Sequence, residues 1–241
     1  MARDTLTQER IVRTTIELLD AEGLEGLSMR TLGERLGAAA TAVYWHVRSK
    51  DNLVMLAGDE VWHEIDLPDL DAVDWRTAGT AMAKDLYAML TRHPWLVQAF
   101  GTYVLPGPGK ARYDDHSLAV YERAGFAGAA ADQAMTTVFL FVLGSALGEA
   151  AGVSLRRQLR RAGHDADELI RETIAKQTEV AMAFPRLRAR IESVDDTDYY
   201  SAPDKSFEFG LETIFDGLDR QLSTGRTGTS GAAQRSDGWF A

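Results

Sequence analysis

Side chains suited to contact with nucleic acid share one side of a short predicted helix. Thr41, Tyr44 and Arg48 recur there at spacings of three and four, with Trp45 and His46 beside them. Residues at such spacings lie on one face of a helix. Hydroxyl, phenol and guanidinium groups bind phosphate oxygens and base edges, so the chemistry indicated is recognition of DNA.

Two short helices joined by a tight turn must position that face. Ser28 suits a helix start, but Thr31 stands where a full capping box would have Glu, so we expect no such box. Gly37 then suits the left-handed residue that ends a helix. Apolar residues predict the buried sides of the two helices: Met29, Leu32 and Leu36 in the first, Val43 and Val47 in the second. This is the geometry of a major-groove reader, although any two packed helices with a glycine turn would share it.

The charge distribution agrees with a local DNA contact. The chain of 241 residues has a formal net charge of −10, yet residues 1 to 50 contain seven basic and seven acidic residues, hence 7 − 7 = 0. The acidic remainder would discourage non-specific contact with nucleic acid, so binding would depend on a few cations. Arg3 precedes the first predicted helix, where it could contact a phosphate or the minor groove or simply be solvated.

Composition excludes several other classes. An apolar content of 45% and a charged content of 26% are typical of soluble globular proteins. The absence of cysteine excludes disulfides, thiolate metal sites and a cysteine nucleophile, and it suits a reducing cytoplasm. The N-terminal segment lacks the apolar core of a signal peptide, and the uncharged segment between Asp132 and Glu149 is too short and polar to span a bilayer. We therefore expect a cytoplasmic protein with no membrane partner.

At the reader the sequence resembles a known family. LSMRTLGERLG followed by AVYWHVRSKDNL is similar to the helix-turn-helix of the tetracycline-repressor (TetR) family of transcription regulators. Further on, FEFGLETIFDGLDRQL resembles the last helix of such proteins, and HPWLVQAFGT and VLGSALGEA resemble helices of their effector domain. The resemblance covers roughly residues 5 to 222. It implies an all-α fold, a three-helix DNA-binding domain, a helical effector-binding and dimerisation domain, and a homodimer.

The resemblance also implies six DNA-contacting residues, which are Arg30, Thr41, Tyr44, Trp45, His46 and Lys50. The arginine can bind guanine or a phosphate, the threonine a base edge, and the tyrosine and lysine phosphates. The Trp-His pair has a second interpretation, in which it wedges the reading helix against the first helix. Ala39 replaces the capping serine frequent in the family, and its alanine neighbours leave few hydrogen bonds for bases. Methyl contacts and DNA shape should then contribute to specificity.

Helical periodicity and punctuation predict four parts of the chain. The boundaries fall at residues 1–49, 50–66, 67–222 and 223–241. The resemblance implies that the first part is the helix-turn-helix domain, the second a connecting helix and the third the effector-binding and dimerisation domain, while the composition of the fourth predicts a flexible tail. The acidic stretch DLPDLDAVD marks the boundary after the connecting helix. Further helices are predicted at Thr7 to Glu22, Lys50 to Ile65, Trp75 to Arg92, Tyr113 to Ala124, Asp132 to Leu155, Asp165 to Phe184 and Lys205 to Leu222.

An effector cavity would be lined by apolar side chains with a few orienting polar groups. The candidates are Trp62, Met82, Met89, Trp95, Phe100, Tyr103, Tyr121 and Phe139, with His116, Gln133, Thr137 and Glu149 as polar partners. Residues of these types are individually more often plain core. Magnesium-dependent members of the family have a histidine where this chain has Phe100, and a partner-chain glutamate where it has Gly148, with Glu149 one residue away. We therefore expect no metal and no cofactor, and an apolar or aromatic effector.

The resemblance implies that the last helix is the dimer interface, paired with the helix from Asp132 to Leu155 across a two-fold axis. Its proposed interface residues are Phe207, Gly210, Leu211, Ile214, Gly217, Leu218 and Gln221. The alternative is that the same apolar stripe packs inside one protomer.

Two other classes of function compete with a regulator. Asp114, Asp115 and His116 could supply a base or metal ligands to an enzyme, but no second His/Glu cluster at ligand spacing and no phosphate loop accompanies them. The arginine run at 156, 157, 160 and 161 could hold an acidic partner, but it also reads as a solvated helix end. The sequence therefore predicts a ligand-responsive repressor, not an enzyme, that binds an inverted-repeat DNA operator as a homodimer.

Overall fold

The computed structural model describes residues 6–193 and 203–224 of the chain. Within these residues the regular elements are helices and no strand occurs, which confirms the all-α prediction. The helices are α1 Gln8–Gly26, α2 Met29–Leu36, α3 Ala40–Val47, α4 Lys50–Glu60, α5 Trp75–Arg92, α6 Pro94–Ala99, α7 Pro108–Ala124, α8 Ala129–Arg161, α9 Ala166–Met182, α10 Pro185–Ser193 and α11 Pro203–Ser223. Arg3 and nearly all of the predicted tail lie outside the described residues.

Helices α1 to α3 pack around one small apolar core. Thr7 caps α1 by accepting a hydrogen bond from the backbone N–H of Arg10 at 3.2 Å. Gly23, at φ 69°, interrupts the regular helix in its last turns, which glycine tolerates without Cβ strain. The core residues of this domain are Ile11, Leu18, Leu19, Leu27, Leu32, Leu36, Val43 and Val47. The apolar residues that were predicted to form the buried faces of these three helices are thus largely buried in the structure.

The start of α2 differs from the sequence prediction. A capping box is present, because the Ser28 hydroxyl accepts from the Thr31 backbone N–H at 3.1 Å and the Thr31 hydroxyl accepts from the Ser28 backbone N–H at 3.0 Å. Threonine thus replaces the expected glutamate: its hydroxyl is near enough to reach the N-cap, so the prediction of no box was wrong. At the other end, Gly37 adopts the predicted left-handed conformation, with φ 64° and ψ 30°.

The connecting helix is shorter than predicted. α4 ends at Glu60 and a 3₁₀ helix follows at Val61–Glu64, which tightens the chain before the boundary segment. Leu105, from the loop between α6 and α7, packs over Gly58 of α4. α4 is thus held by the effector domain as well as by α1.

The 33-residue helix α8 is the central element of the second domain. α5, α6, α7, α9 and α11 all contact it. In the described residues it is the one helix long and apolar enough to cross a membrane, and 22% of its most apolar window is buried inside the protomer. The expectation that the segment between Asp132 and Glu149 is too short and too polar to span a bilayer was therefore wrong as to length and composition, because the helix extends to 33 residues. Core helices of soluble proteins meet the same two criteria. One apolar face of α8 packs on the core of the domain, and a second apolar face is exposed in the protomer.

The segment after α8 forms two helices with little burial. α9 is close to the predicted span from Asp165 to Phe184, whereas α10, which begins at Pro185, was not predicted. Proline fits the first turn of a helix, where its missing N–H costs nothing. Several large apolar side chains of this pair are exposed: Ile174, Val180, Phe184 and Leu187.

Candidate nucleic-acid interface and effector site

The reading helix α3 presents its aromatic residues to solvent. The exposed fraction is 57% for Tyr44 and 85% for Trp45, and His46 and Thr41 are exposed as well. Trp45 and His46 therefore do not wedge α3 against α1, so that interpretation was wrong; Val43 and Val47 occupy the buried face instead. The face of α3 that carries Tyr44 and Trp45 is therefore exposed in the protomer and accessible to a partner such as DNA.

The N-terminus of α3 and the cations around it define how this surface could meet DNA. Ala39 provides no side-chain cap to the first turn of α3, although the Ala42 N–H donates to the Ala39 carbonyl at 2.9 Å. Arg30 is exposed on α2 and its Nε donates to Glu34 at 3.0 Å. An exposed ion pair of this kind is weak, so Arg30 can exchange the carboxylate for a phosphate.

Lys50 has a different position from the one the sequence suggested. Its Nζ donates to the backbone carbonyl of Leu24 at 2.7 Å, across 26 residues of chain. The ammonium group thereby ties the start of α4 to the end of α1 in a half-buried position. A role in fixing the three-helix domain explains this contact better than a phosphate contact does.

The junction between α3 and α4 is defined by local hydrogen bonds. Arg48 ends α3 with φ 62°, a left-handed conformation that is unusual for a residue with a Cβ. Ser49 then caps α4 through the backbone N–H of Asn52 at 3.0 Å, and the Asn52 side chain donates to the Val47 carbonyl at 3.0 Å. The reading helix is thus held rigidly to the helix that leads to the second domain.

An aromatic cluster surrounds Trp62 at the point where the connecting segment enters the effector domain. The Trp62 ring centroid lies 5.0 Å from that of Tyr113, 6.4 Å from Phe100 and 6.5 Å from Phe139. The Lys110 ammonium lies 5.0 Å from the Trp62 ring and 5.1 Å from the Phe139 ring, and it also pairs with Asp114 at 2.5 Å. Burial raises the pKa of the Tyr113 hydroxyl above its usual range.

Trp62 is fully buried, yet its indole N–H has no hydrogen-bond partner within the described structure. A buried donor of this kind costs about 1–3 kcal/mol. Three predicted effector residues, Trp62, Phe100 and Phe139, therefore meet in one place that also offers an unused donor.

Four other predicted effector residues lie outside the Trp62 cluster, and the polar groups of two of them already have hydrogen-bond partners in the protomer. The Trp95 indole N–H donates to Asp20 at 2.7 Å, and the His116 Nε2–H donates to the Pro68 carbonyl at 2.9 Å. Tyr121 packs 6.4 Å from Trp75 in a second aromatic cluster, where burial raises its phenol pKa. The pKa of the Tyr103 hydroxyl is raised by burial and by the Asp51 carboxylate.

The remaining candidates divide between core and surface. Met82 and Met89 are buried in the core of the domain. Gln133, Thr137 and Glu149 are exposed on the outer side of α8, away from the Trp62 cluster. A side chain on α8 faces inward or outward according to its helical register, and these three have the outward register.

Three polar contacts between the domains were not found in the sequence. His93, Asp20 and Glu64 form one cluster, Asp59 binds the start of α7, and Arg157 and Arg161 bind the end of α1. The partners in these contacts lie between 29 and 139 residues apart, so no local pattern could reveal them. The interpretation of the arginine run as a solvated helix end is therefore wrong for Arg157, which is half-buried, whereas Arg161 stays exposed although it contacts α1.

Some of the predicted dimer residues of α11 are buried inside the protomer, and the others are half-buried or exposed. Phe207, Leu211 and Leu218 are buried within the protomer, where Phe207 stacks on Tyr87 at 4.2 Å, so the intramolecular alternative explains these three. Gly210 also faces inward, because a Cβ there would collide with Phe141. Ile214 and Gly217 are half-buried and Gln221 is exposed. These last three remain candidates for an interface.

Among residues 6–193 and 203–224 no group of three or more His, Cys, Asp or Glu side chains is arranged to hold a metal ion. The fragment at Asp114, Asp115 and His116 is also accounted for, since Asp114 pairs with Lys110 and His116 with a backbone carbonyl.

The exposed reading helix and the helical second domain define a DNA-binding transcription regulator. Residues 11–55 match the family of bacterial regulatory proteins described as tetR family, and residues 67–222 match the tetracyclin repressor-like C-terminal domain. The chain belongs to the TetR family of transcription regulators. Members of this family are not enzymes; they bind DNA operators as homodimers and respond to small-molecule effectors.

Individual relatives support this assignment. The chain is 32% identical to the class A tetracycline repressor from transposon 1721 of Escherichia coli over 223 residues, which cover 90% of this chain and 92% of that protein. It is 31% identical to the repressor DrrR1 of Streptomyces coeruleorubidus, over 90% of this chain and 78% of that protein. A match to an HTH-type regulator of Saccharopolyspora erythraea, at 39% identity, covers 60% of this chain and 61% of that protein.

Solved structures show the same architecture. The Streptomyces coelicolor TetR family protein ActR, in complex with actinorhodin, superposes with a TM-score of 0.69 at 28% identity, covering 90% of this chain and 96% of that chain. ActR in complex with (S)-DNPA gives a TM-score of 0.65 at 27% identity, covering 90% of this chain and 99% of that chain.

Proposed function

We propose that this protein is a cytoplasmic repressor that binds an inverted-repeat operator through α3 of each protomer and is released by an aromatic small molecule. The observation that carries the DNA-binding part is the exposure of Tyr44 and Trp45 on a helix whose opposite face is buried. A two-fold dimer would place two such helices in successive major grooves, about 34–36 Å apart.

Within the reader, the exposed residues divide by chemistry. Arg30 and Tyr44 contact phosphates or a guanine edge, and Thr41 contacts a base edge. Trp45 and His46 contribute flat surfaces against the sugar-phosphate backbone. Because the chain has a net charge of −10, these few contacts supply most of the attraction to DNA.

The effector site is centred on the Trp62 cluster. Its position favours this role, because Trp62 lies in the 3₁₀ helix that joins α4 to the effector domain. Phe100 and Phe139 are only half-buried beside it, and the indole N–H is an unused donor for a ligand oxygen. The binding of actinorhodin by ActR agrees with an aromatic effector. A ligand seated here would contact both the connecting segment and the domain core.

The dimer forms through the outer face of α8 together with the exposed side of α11. Small and apolar residues share that α8 face and are exposed: Leu140, Gly144, Leu147 and Gly148. Nothing in the protomer approaches within 4 Å of a Cβ placed at either glycine, so another backbone can come close. Phe209, Ile214, Gly217 and Gln221 supply the α11 side. Packing between copies explains the exposed apolarity of α8.

The test is capture and sequencing of genomic fragments by the purified protein, beside an Arg30→Ala/Tyr44→Ala variant at the same salt concentration. A few enriched sites that share an inverted repeat and are lost in the variant would support the proposal. Equal recovery of fragments by both proteins, after removal of any bound small molecule by unfolding and refolding, would contradict it.

A further inference from the structure

A buried histidine joins the two domains through carboxylates of two different elements. His93, at the junction of α5 and α6, is 3% exposed. Its Nδ1 lies 2.7 Å from Asp20 of α1, and its Nε2 lies 3.0 Å from Glu64 of the 3₁₀ helix. A neutral imidazole carries one N–H and can donate to only one of these carboxylates, whereas the imidazolium donates to both. The geometry therefore favours the charged ring.

Asp20 and Glu64 also receive further contacts from helices of the effector domain. The Trp95 indole N–H donates to the Asp20 oxygen that also binds His93, at 2.7 Å. The Arg157 guanidinium of α8 donates to the backbone carbonyl of Asp20. On the other side, Arg92 of α5 pairs with Glu64. Asp20 is thus the point on the reading domain where α6 and α8 are both attached.

A second attachment lies one turn further along α1. Arg161 of α8 pairs with Glu22 and with Glu25, at 3.2 Å in each case, and donates to the Glu22 carbonyl. These contacts are more exposed, so each contributes little by itself. The His93 cluster is the more buried of the two attachments, because the His93 side chain is 4% exposed.

We propose that the Asp20–His93–Glu64 cluster is a charged latch that fixes the orientation of the reading domain on the effector domain, and so the separation of the two reading helices in the dimer. The inference deepens the proposed function and rests on its dimer. A two-state element that sits between an effector domain and a DNA-reading domain is the kind of contact that carries allosteric coupling.

The proton of His93 gives the latch a pH dependence. Burial disfavours the charged ring, but hydrogen bonds and charge attraction from Asp20 and Glu64 outweigh burial and raise the pKa of His93. The other charged groups at the cluster are Arg92, which pairs with Glu64, and Arg157, whose own pKa is lowered by burial. Because the folded-state pKa is raised, the latch is complete below the ordinary histidine pKa and is lost as pH rises through the higher folded value.

The absence of cysteine allows a direct test in the full chain. A nitroxide on a single introduced cysteine, Arg35→Cys on the exposed side of α2, gives one label per protomer. Pulsed dipolar spectroscopy of the dimer without DNA then reports the distance between the two reading domains. The measurement is made from pH 6 to pH 9 in the labelled parent, in Asp20→Asn and in His93→Gln.

We expect a narrow distance distribution in the parent at pH 6 that widens as pH rises. Both variants should show a distribution about twofold wider at every pH, with no pH dependence, because one domain moves against the other. The matched control is Arg76→Gln, which removes ion pairs to Asp216 and Asp219 inside the effector domain and should leave the parent distribution unchanged.

Two results would overturn the inference, and they differ from each other. Distributions in Asp20→Asn and His93→Gln that match the parent, in proteins whose circular dichroism shows an intact helical fold, would overturn the latch alone. Absence of any dipolar coupling in the parent would overturn the dimer of the proposed function and the latch with it.

Discussion

The Asp59 carboxylate of α4 accepts a hydrogen bond from the Lys110 backbone N–H of α7 at 3.0 Å. Lys110 is the third residue of α7, whose N-cap, Gly107, has no side chain to satisfy that N–H. The connecting helix therefore supplies the cap of an effector-domain helix. Glycine at 107 and at 109 permits the approach, because a Cβ at either position would overlap Asp59.

Loss of this cap should weaken the joint between α4 and α7. We expect Asp59→Ala to lower the free energy of unfolding by about 1 kcal/mol, the usual contribution of a cap, because the N–H of Lys110 is left without its acceptor. Urea unfolding followed by circular dichroism measures it. Asp59→Asn retains an acceptor oxygen and is the matched control; an equal loss in both variants would assign the effect to charge rather than to capping.

Lys50 and Arg30 should respond differently to substitution although both are cations of the reading domain. Arg30→Ala should lower the steepness of the salt dependence of operator binding by about one counterion, because an exposed guanidinium contacts phosphate. Lys50→Met should leave that slope unchanged and lower the melting temperature, because its ammonium binds the Leu24 carbonyl. Operator titrations at several salt concentrations and thermal melts separate the two. A reduced slope in Lys50→Met with an unchanged melting temperature would restore the phosphate role.

A charge on the outer face of α8 should separate the protomers. Leu147 is 57% exposed there, beside Gly148. We expect Leu147→Glu to give a monomer in sedimentation velocity, since two copies would bring like charges together in an apolar interface. Val104→Glu places the same charge on an exposed apolar site of the α6 to α7 loop and should remain dimeric. A dimeric Leu147→Glu protein would place the interface elsewhere.

The unused N–H of Trp62 should matter more to ligand binding than to stability. Trp62→Phe removes ring area but also removes a buried unpaired donor, so the two effects offset and stability should change by only about 1 kcal/mol. Binding of an aromatic carboxylate probe, 2-naphthoate, should weaken about tenfold, as expected for loss of a hydrogen bond to a charged oxygen. Calorimetric titration measures both proteins. Trp75→Phe, in the second aromatic cluster, should bind the probe as the parent does; equal weakening in both variants would contradict a specific role for Trp62.

The amino-acid sequence by itself determined the elements and the reader. Apolar spacing of three and four specifies which face of α1, α2 and α3 is buried, and Gly37 specifies the turn, because both signals are local. Local signals failed in two places. The Thr31 hydroxyl completes a capping box without glutamate, and a helix that was not predicted begins at Pro185.

Only the tertiary structure decided which polar groups face each other. Residue type suggested that Trp95 and His116 line an effector cavity. In the structure the Trp95 indole N–H donates to Asp20, and the His116 Nε2–H donates to the Pro68 backbone carbonyl. Phe207 and Leu211 were predicted at the dimer interface, with core packing as the alternative, and both are buried within the protomer, where Phe207 stacks on Tyr87 of α5 and Phe141 of α8. The Lys50 ammonium, predicted to contact a phosphate, donates to the Leu24 carbonyl instead. A helical period tells which residues share a face, but the partner of that face comes from residues far along the chain. The Asp20 to His93 contact, 73 residues apart, therefore became visible only when the two domains were packed together.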